Sequence, residues 1–547
     1  MELPKTDLTN ETDLGIHAHG TGPSRKSRPV YVDFFPPCNK VCPAGENIQS
    51  WLALAQSGKY REAWIRLVEE NPLPAVHGRV CYHPCESACN RASLDSAVSI
   101  HSVERFLGDM AIAENWRFTE PGVFSGKRVM IVGAGPSGLS AGYHLAMFGH
   151  QVTIFDAGPI AGGMMVFGIP PYRLPRNILS AEIDRIKRLG VKIVLNHKVT
   201  DLLAEQNNGK FDAVFIAIGA HIGKKTEIPA REAGKILDAV SFLREVETGN
   251  RPQLGRRVAI YGGGNTAMDA ARVAKRLGVE EALIIYRRDR DNMPAHDFEA
   301  DEALSEGVKI HWLRTIKAVD SESITVEKMD LVNGKPFPTG EFETLKADSV
   351  ILALGQDADI TFLKGIEGIE FNRDGTLSVD GAMMTGRAGV FAGGDMVPGE
   401  RTVTISTGHG KRAARSINAW LNGGIYHPLE NNPVVSIDKL QVWYKTIADP
   451  SRQPHLDPAA AVAGFNEIVA GLTEAEANYE AQRCLSCGNC FECDGCFGAC
   501  PEHAIEKLGT GKRYKFHYDL CTGCAVCYEQ CPCHAIDMIP EPEAITE

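Results

Sequence analysis

No stretch of the 547 residues approaches the roughly 18 consecutive apolar positions that a bilayer span requires, so no membrane-crossing helix is expected. The opening segment Met1–Glu11 is polar and acidic, unlike a secretory leader, and points to a cytoplasmic protein. Positive charge is in deficit. The 57 Lys and Arg stand against 69 Asp and Glu, a net charge of −12 that disfavours nucleic acid and anionic membrane as partners. Cysteine is absent from the 394 residues between Cys89 and Cys484. All sixteen cysteines lie in three groups outside that span: five over Cys38–Cys89, six over Cys484–Cys500 and five over Cys521–Cys533. Without an oxidising compartment disulfides are not expected, and the groups read as metal sites. The remaining composition, 44% apolar and 23% charged, is that of an ordinary globular protein.

The texture changes along the chain. Residues 1–30 read as a flexible arm. Residues 31–120 form a helical domain holding the first five cysteines, with a helical pattern from Asn47 to Glu70 broken near Gly58 and a further helix from Ser102. From Lys127 short apolar strands alternate with helices, the signature of parallel sheets covered on both faces. Residues 426–471 read as a linker and 472–547 as a cysteine-rich tail.

Two strand–turn–helix units, about 130 residues apart, carry nucleotide signatures. In the first, Val129–Val132 runs into Gly133, Ala134, Gly135, Pro136, Ser137 and Gly138. The glycines permit a tight turn, a close pyrophosphate and a close helix, and Asp156 follows the next strand, where a carboxylate accepts from ribose hydroxyls. In the second, Val258–Tyr261 leads into Gly262, Gly263, Gly264, Asn265, Thr266 and Ala267, and Arg287 and Arg288 follow the next strand. Arginines there suit a 2′-phosphate, favouring NADP(H) over NAD(H); the alternative is two surface charges. The division is 121–235 with 350–425 for the first domain and 236–349 for the second. The fold class is therefore α/β: two Rossmann-like dinucleotide-binding domains, an α-helical domain before them and a small α+β domain after them.

The tail repeats one spacing: Cys490, Cys493, Cys496 and Cys500-Pro501, then Cys521, Cys524, Cys527 and Cys531-Pro532. This is the ligand pattern of a bacterial two-cluster ferredoxin, whose fourth cysteine crosses to the other cluster. One 4Fe–4S cluster is expected on Cys490, Cys493, Cys496 and Cys531, the other on Cys521, Cys524, Cys527 and Cys500.

The chain resembles known families at several points. Gly389–Asp395, with Gly394 and Asp395, is similar to the second FAD signature of two-dinucleotide-domain flavoprotein reductases. That resemblance implies FAD in the first site, Asp395 at its ribityl chain, and a helix after Thr404–Gly410 whose N-terminus near Ser406–Gly408 faces the flavin. Gly163, Met164 and Arg176, in a Gly- and Pro-rich loop, can lie against a planar ring, although the methionines suit a core equally. Residues 31–425 resemble the glutamate synthase small subunit, through Cys38, Cys42, Cys81, Cys85, Cys89, both glycine motifs, the Tyr286–Arg288 step and Met293–Ala295. Dihydropyrimidine dehydrogenase has a similar N-terminal domain, but its barrel has no room here. The family's run begins with an Arg-Cys-x2-Cys segment that is missing before Cys38. A matching segment, Arg483–Cys487, stands before the tail.

That resemblance implies one cluster on Cys38, Cys89, Cys484 and Cys487, and a second on Cys42, Cys81 and Cys85 with Glu104 at the position of a non-cysteine fourth ligand. Glu104 otherwise reads as a helix-surface carboxylate. Cys533 is left to pack as a small apolar residue. Four clusters result; three, with Cys484 and Cys487 idle, or the two of the tail alone remain open. The implied function is an NAD(P)H-dependent FAD and iron–sulfur oxidoreductase subunit with no catalytic nucleophile. Its expected partner is a glutamate synthase large subunit, a ferredoxin-type acceptor or a 2-oxoacid oxidoreductase; a non-catalytic electron carrier is the alternative. Residues 484–547 carry ten acids against four Lys and Arg, which suits docking to a basic patch.

Overall fold

Short apolar runs beside glycine turns become two parallel sheets. The computed structural model describes residues 25–224, 228–229, 235–428, 432–509 and 511–542. In the first sheet the strands lie in the order Val390–Ala392, Ala213–Ile216, Arg128–Val132, Gln151–Phe155, Lys192–Val194, all parallel. Helices Pro136–Met147 and Val403–Leu421 pack together against it. The central strands are buried on both faces, which is why they read as unbroken Val, Ile and Phe rather than as alternation.

The second sheet has the order Lys309–His311, Glu281–Ile285, Arg257–Tyr261, Ser349–Leu352, Lys235–Asp238, again parallel. The domain divisions expected at 235/236 and 349/350 cut through two of these strands. The ladder places both in the second domain. An antiparallel meander, Arg314–Val319, Ser323–Val332 and Lys335–Lys346, was not anticipated. Its outer strand is exposed along nearly its whole length and so carries no apolar alternation to reveal it.

In the N-terminal domain helices Ile48–Ala55 and Tyr60–Val68 are separated at Gly58 and turn Trp51, Leu52, Trp64 and Leu67 inward. Helix Pro74–Val80 crosses Ile100–Ala113 at backbone contact: a Cβ on Gly108 would stand 2.4 Å from the Ala75 nitrogen, and one on Gly78 2.5 Å from the Arg105 backbone. The apolar core here is continuous with that of the first sheet, so the two pack as one unit.

The first and last described segments meet. The arm expected over 1–30 lies largely outside the described residues, but Ser27–Tyr31 is a strand paired antiparallel with Ile536–Pro540. Arg25 binds Glu541 through Nε at 2.7 Å and the Cys521 carbonyl at 3.0 Å. The expected linker is a strap. Val434 bridges Phe35, Val435 and Leu440 pack on Leu485, and Ala461 and Ile468 enter the core of the second domain. Among the described residues no helix is long and apolar enough to cross a membrane.

Candidate functional site

The first glycine turn opens into a cavity of about 520 Å³ between the two sheets and the N-terminal domain. Gly133 has φ +109° and a Cβ there would stand 2.3 Å from the Ala217 oxygen; one on Gly138 would stand 1.9 Å from the Gly133 oxygen. Strand, turn and helix therefore approach as a pyrophosphate cradle demands. Gly133, Gly135, Pro136, Ser137, Asp156, Gly163, Met164, Gly394 and Asp395 line the cavity, whereas Gly138 packs beneath the turn. The Asp156 carboxylate accepts from the Ala134 and Gly158 amides, both at 2.7 Å, and is thereby aimed along the cavity edge. Burial pushes the Asp395 carboxyl above its ordinary value, and the Ser406 hydroxyl, donating at 3.0 Å, offsets this in part.

Two expected cofactor residues lie elsewhere. The Arg176 guanidinium is saturated by Glu247 and by the carbonyls of Met165, Val166, Ile169 and Leu174. It pins the Gly- and Pro-rich loop from outside rather than lining the cavity. Thr404 is buried and its hydroxyl meets Cys81. The helix expected after Gly410 begins at Val403, with Thr402 as N-cap accepting from the Ile405 amide at 3.1 Å. Thr402 and Val403, not Ser406–Gly408, are thus the helix end that faces the cavity, and Ser406 joins them one turn on.

From the second glycine turn Asn265 and Thr266 reach the same cavity, while Gly262, Gly264 and Ala267 shape the turn. Asn265 Nδ2 donates to the Tyr82 hydroxyl at 2.6 Å. Arg173 joins Asp269 at 2.8 Å and also pairs with buried Glu299. Tyr82, Arg173, Asp269 and Thr402 were not singled out in the sequence, whereas Ser406 was expected near the helix end that faces the flavin; for the others only the position of Tyr82 between two cysteines was a signal. Arg287 is exposed, and Arg288 is half-buried with an Nε that has no hydrogen-bond partner among the described residues. Neither lines the cavity; they stand beyond strand Glu281–Ile285.

All sixteen cysteines are free thiols. Cys38 is half-buried beside Cys484, Cys89 and Cys487. The returning segment is held by Arg483, whose guanidinium donates to the carbonyls of Ser96 at 2.7 Å and Ala97 at 3.0 Å, while Arg91 donates to the Arg483 carbonyl at 3.0 Å. Asn90 Nδ2 meets Cys487 Sγ at 3.5 Å. Burial pushes the Cys484 and Cys487 thiols up, to about 11 and about 12. As neutral thiols they would release protons on binding a metal.

Cys42, Cys81 and Cys85 form a second set. Glu104 is buried beside Cys42 and Cys81, which rules out the surface reading. Asn71 bridges it to Glu46, donating to both at 2.9 Å. Burial raises its carboxyl well above the carboxylate range, with the charges of Glu46 and Cys81 adding to the effect. Val80 and Tyr82 line the large cavity, so Cys81 stands directly behind its wall.

In the tail, Cys490, Cys493, Cys496 and Cys531 surround a hollow of about 10 Å³, and Cys500, Cys521, Cys524 and Cys527 one of about 20 Å³. Cys493 and Cys524 are exposed. Cys533 shares the first hollow. Its Sγ lies 3.9 Å from Cys531 Sγ, and this hydrogen bond holds the Cys531 thiol below its ordinary value. Soft thiolates gathered in fours, or three with a carboxylate, fit iron–sulfur clusters. The glycine cradle with its acids fits a dinucleotide.

Comparisons with known proteins agree with this geometry. Residues 127–413 match the pyridine nucleotide-disulphide oxidoreductase model, 32–116 the dihydropyrimidine dehydrogenase domain II, 4Fe–4S cluster model, and 514–537 the 4Fe–4S binding domain model. The chain is 39% identical over 505 residues to the NADP(+)-dependent formate dehydrogenase subunit beta of Moorella thermoacetica, covering 82% of this chain and 70% of that one. It is 35% identical over 503 residues to the NADPH-Fe(3+) oxidoreductase subunit beta of Geobacter sulfurreducens, covering 82% and 75%. To the glutamate synthase (NADPH) small chain of Escherichia coli it is 31% identical over 418 residues, covering 71% and 89%.

Proposed function

This chain belongs to the pyridine nucleotide-disulphide oxidoreductase family, and on that premise we propose that it carries electrons between NADPH and a partner subunit through FAD and four 4Fe–4S clusters. It is an oxidoreductase with an FAD- and NAD(P)-binding fold and 4Fe–4S domains. When bound, FAD takes up two electrons together from a nicotinamide and releases them singly.

The residues divide that work. Gly133, Gly135, Pro136 and Ser137 hold the flavin pyrophosphate, Asp156 the ribose and Asp395 the ribityl chain. Gly163 and Met164 flank the ring. Gly262, Gly264, Asn265, Thr266 and Ala267 hold NADPH, with Arg287 and Arg288, whose Nε has no hydrogen-bond partner among the described residues, as donors to its 2′-phosphate. Cys42, Cys81, Cys85 and Glu104 bind the cluster next to the flavin. Cys38, Cys89, Cys484 and Cys487 bind the next, and the two tail sets bind the last pair. Exposed Cys493 and Cys524 suit exit to a partner.

The observation that carries this reading is the place of Cys81. It lies between two cavity-lining residues on one side and two further cysteines on the other, so the nucleotide site and the metal site share a wall. The relatives named as beta or small subunits support a catalytic partner, a formate-oxidising or glutamate-forming subunit among the candidates. Anaerobic purification with iron, sulfide and flavin assayed per chain tests the scheme. About sixteen iron and one FAD, bleached by NADPH, are expected. About eight iron would leave only the tail clusters and overturn the chain of four.

A further inference from the structure

The seam between the N-terminal cysteines and the tail holds a cation that pairs with no carboxylate among the described residues. The strap brings Val442–Tyr444 and then Lys445 across this seam. Its backbone is fastened on the N-terminal side: Arg91 Nη2 donates to the Thr446 carbonyl at 3.0 Å, and the Ala448 amide donates to Asp95 at 3.0 Å. Arg91 and Asp95 are the residues that also grip Arg483, just before Cys484. On the other side the Lys445 ammonium stands 5.4 Å from the Tyr444 ring centre and 5.9 Å from that of Phe491. Phe491 lines the hollow formed by Cys490, Cys493, Cys496 and Cys531.

Lys445 is half-buried, and among the described residues it forms no ion pair with Asp or Glu. Burial lowers its pKa, as does the charge of Arg91, and the groups that oppose this are Cys484 from one set, Cys493 from the other and Cys533 beside the latter. Tyr444 likewise feels Cys487 together with Cys493, Cys531 and Cys533. Arg513 makes the contrast. It stands near Cys490, but Asp33 neutralises it at 2.5 Å.

A half-buried ammonium without a carboxylate needs another counter-charge. Reducing an iron–sulfur cluster adds one electron, and a nearby fixed cation favours the more negative form. We propose that Lys445 is the shared counter-charge of the two clusters that meet at this seam, raising the reduction potential of both and so drawing electrons from the flavin side toward the tail. This inference rests on the ligand sets proposed above.

The test uses the full chain, purified without oxygen, as wild type, Lys445→Gln and Lys445→Arg, each assayed for iron and titrated by potential under EPR. In Lys445→Gln two of the one-electron waves are expected to move to lower potential. At fixed potential the reduced-to-oxidised ratio of these two should fall about tenfold, or about 59 mV for a one-electron couple. The remaining waves should stay in place, and Lys445→Arg should keep the wild-type values. If Lys445→Gln loses iron, Lys445→Met, which retains the apolar stem over Tyr444, is read by the same criterion. Waves that superimpose on wild type at equal iron content would overturn the inference while leaving the four-cluster scheme intact. An unmodified chain holding only about eight iron would overturn both.

Discussion

Arg483 shows how much one side chain can decide. Its side chain is 2% exposed, pairs with Asp95 and Glu480, and donates to two backbone carbonyls of the N-terminal domain. Removing one member of such a buried set costs about 3–5 kcal/mol. Arg483→Ala should therefore lower the thermal unfolding temperature and lose about four iron per chain, measured by calorimetry and iron assay. The motif was visible in sequence as a displaced Arg-Cys-x2-Cys, but its docking point, Ser96–Ala97, was not. Glu104 was visible as a candidate and undecided, because helical periodicity does not say which face a carboxylate takes when the helix is enclosed on several sides. Its burial beside Cys42 and Cys81 resolves this. Glu104→Ala is expected to lose or degrade one cluster, and Glu104→Gln, which keeps an oxygen, to retain it, as read by iron content and EPR line shape. If Arg287 and Arg288 hold the 2′-phosphate as proposed, the double change to alanine removes charge-assisted bonds worth about 1.5–3 kcal/mol together. KM for NADPH should rise about tenfold to a hundredfold, with that for NADH little changed.

Among the elements, strands that are continuous apolar runs beside glycine turns were legible and the meander was not. Strands Arg128–Val132, Gln151–Phe155 and Arg257–Tyr261 fall where the apolar runs put them. The meander from Arg314 to Lys346 was missed: its middle strand does alternate, burying Ile324 and Val326 between half-buried Ser323 and Thr325, but its outer strand is largely exposed and follows no period. Helix Val403–Leu421 starts earlier than expected, since Thr402 caps it and the glycines at 408 and 410, ordinarily unfavourable inside a helix, serve close packing instead. The crossing of Pro74–Val80 with Ile100–Ala113 follows the same logic and fixes Cys81 relative to Glu104. Gly108→Ala puts a methyl against the Ala75 backbone and should destabilise by about 1–3 kcal/mol, seen as earlier unfolding of the N-terminal domain by hydrogen exchange.

For the entire chain, the consequential feature is closure. The strand pair Ser27–Tyr31 with Ile536–Pro540, the strap over the seam and the return of Arg483 join segments more than 350 residues apart. If one cluster draws ligands from both ends, Cys38→Ser and the double change Cys484→Ser, Cys487→Ser should each lose the same four or so iron, leaving about twelve and one FAD. Independent losses from the two ends, adding in the triple variant, would contradict a shared site. Sequence was sufficient for the cysteine spacing of the tail, the two glycine turns, and Asp156 and Arg287–Arg288 after the strands that follow them, because each is a local device whose geometry is set by a few neighbouring residues. Only tertiary structure could decide that Arg176 and Thr404 turn away from the nucleotide cavity, that Tyr82 and Arg173 turn toward it, and that Lys445 lies between two sets of sulfurs. Those outcomes depend on which surfaces meet when distant segments exclude water together, and no short-range pattern encodes that.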